Sequence, residues 1–153
     1  MTDPYSRNMF GKQNPYYAKK PVFGRIVVVL DGVYENRGLN LIKPPSRALK
    51  NGEIHELILT DEQCFPGDTV NRIAYLAFVE ITQGSVSVQG DTVMIGSQQI
   101  GTIAGYDETH MPNHLNIVLN GKRVSGREIE IRVDSTVVIG KYPEEKRGDL
   151  VGL

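Results

Sequence analysis

The sequence predicts an all-β domain, a small and mostly antiparallel barrel or sandwich with at most one or two short helices. Three observations carry that expectation. Apolar residues come in short runs at close spacing, roughly eight to ten of them along the chain. The 16 glycines and 8 prolines are scattered between those runs as punctuation. Several runs alternate apolar and polar residues, as in Ser85-Val86-Ser87-Val88 and Arg127-Glu128-Ile129-Glu130-Ile131-Arg132-Val133, the period of a strand with one wet face. The stretch 88–121 shows all three features, with runs at Thr92–Ile95, Ile100–Ala104 and Leu115–Leu119.

A chain of 153 residues is one domain and can bury a sizeable core. We divide it into an extended N-terminal arm (1–21), a single barrel-like domain (22–140) and a C-terminal tail (141–153). A formal net charge of −1 supplies no field to draw in nucleic acid. Cys64 is the one cysteine, so neither an intrachain disulfide nor a thiolate metal cluster can form. No apolar run approaches membrane-spanning length and no signal-peptide core opens the chain. The expectation is a cytoplasmic protein with no membrane insertion.

In order, the arm is rich in Asn, Pro, Lys and Gly yet carries Tyr5, Phe10, Tyr16 and Tyr17. It reads either as a solvated tail or as an arm that docks its aromatics on a neighbouring subunit. Ile26–Leu30 is nearly continuous and β-branched, a strand expected to be buried on both faces. Leu39–Ile42 predicts a short strand stopped by Pro44-Pro45, and Lys43, Arg47 and Lys50 follow in a basic loop. In Ile54–Thr60 the residues Ile54, Glu56 and Ile58 alternate against His55, Leu57 and Leu59. Asp68 is placed to cap a short helix running to Ala74. Tyr75–Ile81 is a strand, Asn120-Gly121 predicts a hairpin turn, and Arg127–Val133 and Thr136–Gly140 are the last strands. The tetrapeptide Gly-Asp-Thr-Val occurs at 67–70 and 90–93, which we read as the same turn chemistry used twice.

The densest group of chemistry-bearing residues is Asp107, Glu108, His110 and His114, within eight positions. Such a loop could bind a divalent cation, or pair a carboxylate with an imidazole as orienter and base. It could equally be a solvated connection, because Pro112 prevents a helical face. No catalytic residue, cofactor or metal ligand is assigned. Cys64, close to Asp61 and Glu62, reads as a structural thiol.

The pieces Pro66-Gly67-Asp68 through Ile81, Gly90–Gly96, Thr102–Gly105, Asn113–Gly121 and Ser125-Gly126 through Val133 follow one another in a recognisable order. Over about 54–140 the chain resembles the glucitol/sorbitol-specific enzyme IIA domain of the bacterial sugar phosphotransferase system. The resemblance implies a β fold and a phosphocarrier role. That family's phosphoryl-accepting histidine lies in a strand whose counterpart here, Tyr75–Ile81, has none. The family's activity would therefore be lost, because a phosphocarrier needs its nucleophilic imidazole. His114 falls where the family often has a histidine, without the acceptor role.

The expected function is a non-catalytic binding or assembly module. Its partner would be a second copy of the chain (a homo-oligomer formed through the arm) or another protein. The alternatives are a phosphocarrier-like protein and a small metal-dependent enzyme using the 106–114 loop.

Overall fold

The computed structural model describes residues 15–141. Among them are twelve strands and no helix. They are β1 (Val22–Val29), β2 (Val33–Tyr34), β3 (Leu39–Asn40), β4 (Ser46–Leu49), β5 (Ile54–Thr60), β6 (Thr69–Val70), β7 (Ile73–Gln83), β8 (Ser85–Val88), β9 (Thr92–Ile95), β10 (Gln98–Asp107), β11 (Asn116–Gly121) and β12 (Thr136–Gly140). Seven close on themselves in the order β1-β12-β9-β10-β11-β5-β7, with β7 returning to β1. The all-β expectation resolves to a closed barrel. Every neighbour is antiparallel except β11 beside β5. β2 adds to the start of β7, while β3/β6 and β4/β8 form separate two-stranded ribbons.

Register explains what is inside. Residues opposite one another on neighbouring strands share a face, and the face alternates along each strand. The row Tyr106, Ile117, Leu57, Ala77 crosses β10, β11, β5 and β7. All four belong to the main core, with Leu76, Val79, Leu119, Val137 and Ile139. A second cluster, of Leu39, Leu41, Ile58, Cys64, Val70, Ile73, Ala104 and Val118, packs separately. It lies on the outer face of β5, β7, β10 and β11, under the β3/β6 ribbon. Gly105 makes room for it, since a Cβ there would meet Leu41 Cδ1 at 3.1 Å.

The row one step further, Asp107, Asn116, Glu56, Phe78 and Val28, runs across β10, β11, β5, β7 and β1 on the outer face. It passes from fully buried polar groups to Val28, which is 44% exposed. This row positions the site.

Several expectations are corrected. Asp68 caps a turn, not a helix: its carboxylate accepts from the Phe65 N–H at 2.8 Å. β-branched Thr69 and Val70 then form β6, because Val70 and Ile73 are needed in the outer cluster. Asn120-Gly121 is not a hairpin turn but the end of β11. There Gly121 opposes Gly101, and Asn120 donates to the Glu62 carbonyl at 2.6 Å. The true two-residue hairpin is Gly96-Ser97 between β9 and β10, with Gly96 at φ 60°. Arg127–Val133 is a series of turns, closed by Ile129 N–H to Ser125 O and Ile131 N–H to Gly126 O. Its alternating isoleucines pack against the barrel core without pairing. β1 is not buried on both faces; its pattern alternates, and β5 and β11 are the doubly covered strands. Barrel closure also removes the long open strand edges an assembly module would offer.

Candidate functional site

Glu56 sits at the centre of the outer row, opposite Asn116 and Phe78, and is 7% exposed. The segment between β10 and β11 folds over it. That segment is coiled tightly by Thr109 N–H to Asp107 Oδ1, Met111 N–H to Glu108 O and Asn113 N–H to His110 O. It is pinned to β5 at two points. Glu56 N–H donates to Leu115 O at 3.0 Å, and Leu115 N–H donates to His55 Nδ1 at 3.0 Å.

This folding sets His114 against Glu56, with Nε2 3.2 Å from Oε1. The Asn113 side-chain amide lies 2.9 Å from His114 Nδ1. An amide nitrogen donates, so the His114 proton is on Nε2 and points at the carboxylate. The ring is edge-on to Phe78, with centroids 5.1 Å apart at 84°. Its other neighbour is His110, ring centroid at 5.0 Å. His110 Nε2 lies 3.4 Å from Arg37 Nη2. A guanidinium only donates, so Nε2 is the acceptor and the ring proton is on Nδ1. Arg37 is itself held by its backbone N–H on Asn71 O and its Nε on the Tyr75 hydroxyl at 2.9 Å.

Burial shifts both members of the central pair. It raises the Glu56 carboxyl above the ordinary range, against the opposing pull of His110 and Arg37. It lowers the His114 imidazole, with Asn116 opposing. Both shifts favour the uncharged forms.

Of the four predicted residues, only His110 and His114 come together. Asp107 is 1% exposed and serves as a strut. It accepts from Asn40 N–H, Thr109 N–H and the Asn116 amide. Glu108 faces away and pairs with Arg47. Arg47 itself lies on β4, so the expected basic loop is partly a strand. Glu56, Arg37, Tyr75 and Phe78 complete the site and lie far off in sequence. The local signal for Glu56 was a carboxylate on the outward phase of an apolar strand. Asn116 Oδ1 is buried without a hydrogen-bond partner among the described residues. Among the described residues no group of three or more His, Cys, Asp or Glu is arranged to hold a metal ion.

His55 is a core-side residue bonded to Glu53 at 3.0 Å. Of the arm, Tyr5 and Phe10 lie outside the described residues. Tyr16 donates to Ser46 Oγ at 3.0 Å, and Lys19 pairs with Asp91 at 2.9 Å. Tyr17 is 99% exposed.

These features define a small closed β-barrel domain with a histidine–carboxylate cluster on its outer face. The chain belongs to a family of unknown function, DUF6917, whose family model matches residues 16–140. No curated protein and no solved structure matches it. Among the described residues no helix is long and apolar enough to cross a membrane.

Proposed function

We propose that the protein is a non-catalytic binding module that assembles with copies of itself. The observation that carries this reading is the root of the arm. Tyr16 and Lys19 are fastened to the protein's own β domain, at Ser46 of the β4/β8 ribbon and at Asp91, while Tyr17 between them stands 99% exposed. An aromatic ring held in solvent on an anchored segment suits a contact surface, because burying it gains on the order of 2 kcal/mol. A receiving surface is available on the outer face, where Val28 and Ile54 are 44% and 45% exposed around half-buried Phe78. Asp107, Glu108 and His114 of the loop are already committed to Asn40, Arg47 and Glu56 elsewhere in the fold, which favours a structural use over proton transfer to a substrate. The partner expected is a second copy, with another protein chain as the alternative. Sedimentation of the full chain, of a form lacking the residues before Pro21, and of Ile54→Lys tests this. The lysine would face Glu80 across the strand pair, so the fold should persist. We expect an oligomer that weakens in both variants; a monomeric full chain, or an unchanged oligomer in both, would end the proposal.

One observation favours a second reading, the phosphocarrier-like one: His110 is exposed with Arg37 beside it. We expect no phosphoryl label after incubation with the general phosphotransferase proteins and phosphoenolpyruvate, because Tyr75–Ile81 lacks a histidine. Acid-labile label on His55, His110 or His114 would favour this second reading instead.

A further inference from the structure

We propose that Arg37 and His110, held over the Glu56–His114 pair, form a proton-linked binding site for an oxyanion, the group shared by carboxylates and by sulfate or phosphate esters. The site adjoins the proposed assembly surface at Phe78, but anion binding there does not require assembly.

Arg37 is fixed at three points. Its backbone is tied to Asn71, its Nε to the Tyr75 hydroxyl and its Nη2 to His110. Among the described residues Nη1 has no hydrogen-bond acceptor. The guanidinium is therefore held in place with donors to spare, the arrangement that recognises planar and tetrahedral oxyanions. Exposed His110 covers the other side.

The Arg37–His110 contact works only while His110 Nε2 accepts. If Nε2 takes a proton from solvent, the ring becomes an imidazolium with two N–H donors and no acceptor. The contact to Arg37 then turns from a hydrogen bond into the apposition of two cations 3.4 Å apart. An oxyanion bound between them restores the balance, accepting from Arg37 and from Nε2–H together. One anion and one proton thus enter together.

The groups facing His110 are few. Arg37, from the β2–β3 connection, is a cation beside it. Glu56 on β5 is the carboxylate below, engaged by His114 Nε2–H. His114 packs against the ring, and burial disfavours its charged form; the Tyr75 hydroxyl on β7 is turned to Arg37 Nε. Without an anion Glu56 is the nearest counter-charge, and burial limits how far it can serve.

The test uses sulfate, whose charge does not change over the range, and acetate, both at constant ionic strength. Ring resonances of the three histidines are followed by NMR, with affinities measured between about pH 5.5 and about pH 8. We expect saturable shifts at His110 and His114 with His55 unmoved. Affinity should weaken as pH rises, by up to about tenfold per pH unit once one proton must be taken up with each anion. Arg37→Gln should abolish the shifts at His114. Should that variant fail to fold, His110→Gln, an exposed position, should weaken binding and remove its pH dependence. Tighter acetate binding assigns a carboxylate ligand, such as a peptide terminus or acidic side chain. Tighter sulfate binding assigns a sulfate or phosphate ester. No saturable shift with either anion, equal shifts at all three histidines, or pH-independent affinity would overturn the proposal. Failure here leaves the assembly reading untouched, because that is decided by sedimentation alone.

Discussion

Glu56 and His114 face each other across 3.2 Å with opposite consequences for stability against pH. Folding holds the His114 imidazole below its ordinary value of 6.5. Its contribution is whole above that value and is lost as pH falls towards the folded value. Folding raises Glu56 above 4.5, so its contribution is whole below that value and is lost as pH rises through the folded value. Urea unfolding between about pH 4.5 and about pH 7.5 should separate the two, each variant read as a difference from the parent. Relative to the parent, Glu56→Gln should lose stability on acidification, with only the histidine left. His114→Gln should gain stability on acidification, with only the carboxylate left. Parallel curves for the two variants would mean the pair does not titrate as described. The histidines were legible in the sequence, but their partners were not. A residue such as Arg37 reaches the site only because the chain between β2 and β3 lies across the barrel's outside.

At the scale of the element, turn chemistry was the most legible feature. The repeated tetrapeptide builds the same turn twice. Gly67 has φ 96° and Gly90 φ 94°, and each following aspartate accepts from the N–H three residues back. Asn120-Gly121 misled because asparagine-glycine signals a turn only where the chain reverses. Here β11 must run on to match its parallel partner β5, and Gly121 is required for space. A Cβ there would meet Ile100 O at 2.6 Å and Leu59 Cδ2 at 3.0 Å. Gly121→Val should therefore lower stability by about 2–3 kcal/mol through overpacking. Gly52, with φ 90° and nothing within 4 Å, makes the contrast. Gly52→Ala should cost only about 1 kcal/mol, from backbone strain alone. Thermal melts that rank the two the other way would contradict this account. The stretch 127–133 shows the limit of periodicity: two half-buried isoleucines two residues apart suit a strand or a pair of turns equally.

At the scale of the molecule, the barrel is closed by β1 on β7, a pairing no local pattern reveals. The segment leading into β1 then matters, because Lys19 ties it to Asp91 in the turn just before β9. Asp91 is 4% exposed, and burial raises its carboxyl even though Lys19 opposes the shift. Removing one partner of a buried ion pair strands the other, so Lys19→Met should cost about 3 kcal/mol. Asp91→Asn in the same chain should recover part of that. Denaturant midpoints of the parent, the single variant and the double variant check it; a single variant as stable as the parent would show the pair to be idle. The all-β class was legible from run length and punctuation, but the choice of barrel over sandwich was not. The parallel β5/β11 neighbours and the outer cluster were not, since both depend on which strands meet.

That outer cluster gives the barrel two unequal halves. β5, β11 and the end of β10 are packed on both sides, whereas β1 and β12 keep a wet face. Solvent reaches backbone amides by local opening where one side is wet, and only by global unfolding where neither is. In heavy water the amides of Leu57–Leu59 and Ile117–Leu119 should hold their protons longest, and those of β12 should surrender them first. The two groups should merge into one rate only near the unfolding midpoint. The slow half carries Glu56, so the floor beneath the two histidines should be the most durable part of the described residues.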